Sequence, residues 1–204
     1  PYIHGWHIDA ICEHLEAVGR GEIRDLLINM PPRHCKTLLV SVAFPCWLWT
    51  RQPSAKFLFA SYAQQLSIRD SVACRRLLMS QWYQRNWAQS FSLTADQNVK
   101  QRFENDKRGY RLATSVGGQL TGEGGDYIIA DDPHNVKDAE SDAVRTGTLE
   151  WWDKAMSTRL NNPKTGHKII VMQRVHQDDL AGHVVEQGGY YHLRLPARYE
   201  GLKT

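Results

Sequence analysis

Apolar positions at Ile8, Ile11, Leu15 and Val18 recur at helical spacing and stop at Gly19 and Gly21, which predicts an amphipathic helix over 6–18. The period then changes. Residues 25–30, Asp-Leu-Leu-Ile-Asn-Met, form a short apolar run that ends at Pro31 and Pro32, the pattern of a buried strand entering a loop, and a helix-like apolar segment starts at Thr37. Residues 56–61 repeat the strand signal, and the stretch that follows, up to Met79, has helical spacing and carries Arg69, Arg75 and Arg76. Three further runs, 110–115, 127–130 and 168–172, read as strands, with helix-forming sequence at about 139–160 and 177–187 and a last strand at 191–195. Strands and helices alternate, and several strands are apolar on both faces. The expected fold is therefore α/β, a largely parallel sheet sandwiched between helices.

Length and composition narrow this to one ordinary domain. The 204 residues suit a single core, and 42% hydrophobic with 23% charged residues excludes disordered, collagen-like and coiled-coil chains. The net charge of +3 is too small to announce a nucleic-acid partner, but its distribution is uneven. Residues 51–111 hold eleven Lys/Arg against four Asp/Glu, a local +7, whereas 123–153 hold nine acids against two bases, a local −7. The cysteines at 12, 35, 46 and 74 form no CxxC pair and point to a reduced setting without disulfides. The longest apolar stretch, 38–49, contains Ser41 and Pro45 and falls short of the roughly 20 residues that a membrane helix needs, so no membrane span is expected. With no initiator Met and no clear stop, the chain reads as a piece of a longer protein.

Two segments carry recognisable chemistry. Met30-Pro-Pro-Arg-His-Cys-Lys36-Thr37 lies between a strand and a helix and ends in Lys-Thr, as in the phosphate-binding pattern G-x-x-x-x-G-K-[ST], although Met30 and Cys35 occupy its glycine positions. Backbone N–H groups at a helix start attract phosphate, Lys36 can reach the β/γ-phosphates, Thr37 can ligate Mg²⁺, and Arg33 adds a second cation beside His34 and Cys35. The competing reading is an ordinary loop with a surface lysine. Downstream, Tyr127-Ile-Ile-Ala-Asp131-Asp132 is an apolar strand that delivers two carboxylates at its C-terminal end, the edge at which open parallel sheets bind ligands. Asp131 is the expected Mg²⁺ holder and Asp132 the group that polarises an attacking water, against the alternative that the pair merely caps the Asp-Pro turn.

With these blocks in hand, together with the glycine-rich Gly117–Asp126 loop and Gln173-Arg-Val-His-Gln-Asp-Asp-Leu-Ala-Gly182, the chain resembles the ATPase domain of the large terminase subunits of tailed bacteriophages, from the Trp6-His7 region to about Pro196. The resemblance implies a three-layer P-loop NTPase fold of the additional-strand type over 1–204. It also implies that ATP and Mg²⁺ are bound and that hydrolysis drives double-stranded DNA into a procapsid. A nuclease domain would follow in the intact polypeptide. The implied partners are DNA, further copies in a ring, the portal protein and the small terminase subunit, all in the cytoplasm of the infected host. Gln173 and Arg174 map onto the family's γ-phosphate-sensing motif. Trp6 and His7 map onto its adenine-contacting segment, with core packing of Trp6 and simple exposure of His7 as the other reading.

The family usually has Gly at Cys35 and Glu at Asp132. Glu123 is expected to face solvent. For the arginine that such rings supply from a neighbouring subunit, Arg111 is preferred narrowly over Arg159. His176, Asp178 and Asp179 suggest a metal, but Asp-Asp-Leu-Ala-Gly reads better as a helix start with acids at its positive end. His4, His7, Cys12 and His14 match no zinc spacing. Basic residues between 51 and 111, mixed with Trp82, Tyr83 and Trp87, line a DNA path in one reading and a core or subunit contact in the other. A helicase-like translocase and a non-hydrolysing nucleotide-binding scaffold are the alternative functions.

Overall fold

The structure, a computed structural model, describes residues 4–118, 120 and 122–197. Gln119 and Thr121 of the glycine-rich loop lie outside the described residues. After α1 (Trp6–Gly19) the chain enters β1 (Asp25–Asn29), then a π-helical turn (Leu38–Ala43) continued by α2 (Phe44–Trp49). Next come β2 (Lys56–Ser61), α3 (Gln64–Leu78), α4 (Gln81–Trp87), β3 (Leu93–Asn98), β4 (Arg102–Asn105) and β5 (Tyr110–Ser115). The acidic strand β6 (Tyr127–Asp131) leads to α5 (Asp142–Trp151), which loosens into a π turn (Trp152–Met156) and a 3₁₀ turn (Ser157–Arg159). The chain finishes with β7 (His167–Met172), α6 (Leu180–Gln187) and β8 (Tyr191–Arg194). No described helix is long and apolar enough to cross a membrane.

Among the described residues, the eight strands form one sheet in the order β3-β4-β5-β2-β6-β7-β1-β8. The pairs β5–β2–β6–β7–β1–β8 are parallel, and β3–β4 and β4–β5 are antiparallel. Because side chains alternate across a strand, each apolar run feeds two cores at once. Leu26, Ile28, Phe57, Phe59, Ile129, Ile169 and Val171 pack under α1, α2 and α3 on one face. Leu27, Leu58, Ala60, Ile128, Ala130, Ile170 and Met172 pack under α5 and α6 on the other. The result is the expected three-layer α/β sandwich. Strand β7 lies between the loop-bearing β1 and the acidic β6, which makes the fold the additional-strand type.

The sequence pattern does not reveal α4 or the β3–β4 hairpin. That hairpin sits at the sheet edge, where one face is wet and no continuous apolar run is required. Of the three aromatics read together in this region, Tyr83 is core, its hydroxyl donating to the Cys46 carbonyl at 2.7 Å, while Trp82 is 60% exposed and meets Trp87 edge-on.

Trp49, on α2, joins the segment that follows the loop after β1 to this end of the sheet. Its indole N–H donates to the Ala55 carbonyl at 2.8 Å, and its ring meets Phe57, Phe91 and Phe103 edge-on. Trp49→Ala is expected to lower the unfolding free energy by about 3–5 kcal/mol. Trp49→Phe, which keeps most of the ring contacts and loses the hydrogen bond, is expected to cost about 1–2 kcal/mol. Urea denaturation checks both, and equal costs would show that the hydrogen bond rather than ring packing dominates.

Candidate functional site

Since β1, β6 and β7 run parallel side by side, their C-terminal ends open at one edge, and the residues that follow each of them meet there. From β1 the chain turns through Pro31–Cys35 and becomes helical at Lys36. The turn places Arg33 at φ 65° and Cys35 at φ 64°, the left-handed region in which a Cβ is disfavoured. This is the physical reason glycine suits the position before the lysine, and here Cys35 adopts the same conformation with a side chain. Arg33 and His34 are exposed and Cys35 is half-buried.

Lys36 is buried, and its Nζ donates to Asp132 Oδ1 at 2.6 Å. The Gln173 backbone N–H donates to the same oxygen at 3.2 Å, so the ends of β6 and β7 are tied through one carboxylate. Asp132 itself adopts φ 44°, a left-handed turn immediately after the strand. Asp131 shares a face with Ile129 and points beneath the loop: Thr37 Oγ1 donates to Oδ1 at 3.2 Å and Ser41 Oγ to Oδ2 at 2.7 Å. Burial, with Asp132 adding like-charge repulsion, pushes Asp131 up to about 7 against the pull of the two hydroxyls. A carboxylate flanked by hydroxyl oxygens is a hard donor set suited to Mg²⁺, and a lysine at a helix start suits phosphate, so the residues present fit both groups.

Ser41 is the site residue that sequence reading missed. It lies four positions after Thr37 and so shares its helix face, and the signal was a lone hydroxyl inside an otherwise apolar run.

Trp6 and His7 come to the other flank of the loop. His7 meets the His34 ring edge-on at 5.7 Å, and Trp6, His7, Pro31, His34 and Leu195 line a cleft of about 240 Å³. Trp6 is 59% exposed rather than core. Arg174 lies beside the loop, in a second cleft of about 310 Å³ with Asn29, Pro31, Gln173 and Arg194, but its guanidinium is engaged locally. It pairs with the buried Asp179 at 2.9 Å and donates to the His176 and Gln177 carbonyls. Asp179 is the N-cap of α6, accepting from the Gly182 N–H at 2.9 Å, in line with the helix-start reading of that segment.

Two expectations need correction. Arg111 is not placed to reach a neighbouring subunit: its side chain is fully buried in its own protomer, stacked on Phe59 with the guanidinium carbon 4.0 Å from the ring centre. Glu123 does not simply face solvent, because it is half-buried and paired with Arg102. A cleft of about 560 Å³ beside Arg51, Tyr127 and His167 includes none of the predicted site residues.

Comparison with known proteins bears on the family and the fold. The profile of the family described as terminase large subunit, T4-like-virus type, N-terminal, matches residues 27–199. No curated protein matches the chain. Among solved structures, the large terminase of bacteriophage HK97 aligns with a TM-score of 0.60 at 11% identity, covering 98% of this chain and 41% of that one. A large terminase from a thermophilic bacteriophage aligns in one crystal form with a TM-score of 0.56 at 10% identity, covering 88% and 44%. In another form, a complex with ADP, it aligns at 0.54 and 10%, covering 89% and 44%. The chain thus spans less than half the length of these terminases, and at such identities the structural likeness speaks for the fold. The profile covers most of the sequence, and the chain therefore belongs to the T4-like-virus-type family of terminase large subunits, matching its N-terminal region.

Proposed function

We propose that residues 1–204 form the ATP-hydrolysing motor domain of a phage large terminase, which drives double-stranded DNA into a procapsid. The observation that supports this most is the Lys36–Asp132 pair set directly above the Thr37/Ser41–Asp131 cluster at one sheet edge. One solved relative, a large terminase, is a complex with ADP, which supports nucleotide binding.

On this reading the apo pair is a latch. Triphosphate entering the loop offers Lys36 a stronger anionic partner, so the ammonium leaves Asp132 for the β/γ-phosphates with Arg33 close by. Asp132, still held by the Gln173 N–H, then has a free oxygen with which to orient a water and accept its proton. Asp131 and Thr37 would hold Mg²⁺, which when bound draws charge from the phosphate oxygens. Trp6 and His7 flank the cleft where the base would lie, and Gln173 reports on the γ-phosphate through the bond that ties β7 to Asp132. Of the two arginines considered for a role in trans, Arg159 remains. DNA, further copies in a ring, the portal protein and the small subunit are the proposed partners, with the assembly docked on the procapsid in the host cytoplasm. DNA cleavage is assigned to a separate nuclease domain of the longer polypeptide.

Lys36→Ala is expected to lower ATP turnover at least roughly a hundredfold while the circular-dichroism melt stays close to wild type. Phosphate release measures the first, and retained turnover would overturn the site. Nucleotide binding by the wild type without any phosphate release would favour a non-hydrolysing scaffold.

Asp132→Asn is expected to bind Mg-ATP without cleaving it, and Asp131→Asn to lose the metal's contribution to both. The second substitution has a further effect. A carboxyl whose folded-state pKa lies above its unfolded value of about 3.9 holds its proton more tightly in the folded chain, so its ionisation opposes folding as pH rises from about 4 and does so fully above about 7. Asp131→Asn should therefore raise Tm by at least about 2 °C at pH 8, with the gain vanishing near pH 4. A pH-independent difference in calorimetry would contradict this.

Cys35→Gly removes the left-handed Cβ and is expected to stabilise the fold by up to about 1 kcal/mol, with nucleotide affinity equal or higher in equilibrium titration. Weaker binding would mean that the thiol itself contributes to the site.

A further inference from the structure

Arg111 is a cation with 0% exposure, yet among the described residues it makes no ion pair with a carboxylate. Its Nε and Nη1 are buried without a hydrogen-bond partner. One bond is made: Nη2 donates to the Ser41 carbonyl at 3.2 Å. That carbonyl is a special one. In an α-helix it would accept from the residue four positions on, which is Pro45, and proline has no N–H to give. The chain around Ser41 is correspondingly widened into the π-helical turn Leu38–Ala43. The side chain of the same residue, Ser41, donates to Asp131 at 2.7 Å.

Arg111 also borders a small space of about 10 Å³, lined by Phe59 and Ala60 and by the polar Ser41, Ser61, Ser67, Asp70 and Asp131, the size of a single-water site. Burial alone would drive a guanidinium toward the neutral form, and Asp70 and Asp131 act against this.

We infer that Arg111 is a positioning residue for the carboxylate assigned to Mg²⁺: it anchors the Ser41 turn through the Ser41 carbonyl and, through one internal water, borders Asp131 from the other side. This rests on the proposed function for its metal, but the geometry it describes belongs to the chain itself. It also gives a reason for an arginine within a buried strand, where a neighbouring subunit cannot use it.

The test is a double-mutant cycle of Arg111→Met and Ser41→Ala, read as the Mg²⁺ concentration that half-saturates binding of a fluorescent ATP analogue. Each single substitution is expected to raise this midpoint five- to tenfold while Mg²⁺-free binding stays within twofold of wild type. The double substitution is expected to be no worse than Arg111→Met alone. A midpoint within twofold of wild type for Arg111→Met, or effects that multiply, would overturn the inference. Should Arg111→Met fail to fold, Arg111→Lys, which keeps the charge and loses the fork, carries the same expectation.

Metal-free crystal structures of the wild type and the Arg111 variant supply an independent readout. A water bridging Arg111 to the Asp70 and Asp131 side is expected in the first, and a Ser41 hydroxyl no longer within hydrogen-bond distance of Asp131 in the second. Ser41 unmoved, or no water in the wild type, would overturn the inference even if nucleotide binds. If the wild type binds no nucleotide analogue at all, the ATPase reading fails, and the crystallographic comparison alone decides the role of Arg111.

Discussion

The parallel pairing of β7 between β1 and β6 is the constraint on which the site depends. Ile169 is held opposite Leu26 on one side and Ile129 on the other, so the three strands stop in step. Remove β7 and the loop lysine and the two aspartates would belong to strands that do not touch. With it, the Lys36–Asp132 bond closes across three strands, and the Gln173 amide completes the junction. Long-range pairing of this kind cannot form until residues far apart in sequence have come together, so the site exists only once these strands are paired.

Charge is distributed over this edge in layers. Lys36 and Asp132 form the upper pair, the lysine buried and the carboxylate partly open to water. Asp131 lies beneath, fully buried and held by hydroxyls instead of a cation, so that its ionisation is costly and a divalent ion is a welcome neighbour. Beside it lie Asp70, mostly withdrawn from solvent, and Arg111, withdrawn entirely. An interior of this kind sacrifices stability for a pre-set arrangement of charge, as binding sites commonly do.

How much of this was legible depended on which force shaped each segment. Residues 56–61 and 110–115 are strands with the boundaries the apolar pattern predicts, because strands covered on both faces must be apolar along their length. Lys36, Thr37, Asp131 and Asp132 were legible since their residue types follow from chemistry at a strand end. The β3–β4 hairpin was not, because an edge needs no apolar run. Ser41 was passed over because a hydroxyl within an apolar stretch looks like tolerated polarity, and its partner lies 90 residues away. Arg111 was misjudged for a related reason. An arginine is normally an exposed side chain, and nothing local announces that Phe59 and the Ser41 carbonyl will enclose it.

The left-handed backbone at Cys35 leaves the loop with a built-in chemical reporter. Cys46 and Cys74 are buried in contact with each other, and burial together with Glu16 and Asp9 pushes the Cys12 thiol up, away from the reactive thiolate. Cys35 is left as the half-exposed thiol at the mouth of the loop. Its alkylation rate would therefore follow occupancy of that mouth without any added label, turning a departure from the usual glycine into a spectator that records when the site is filled.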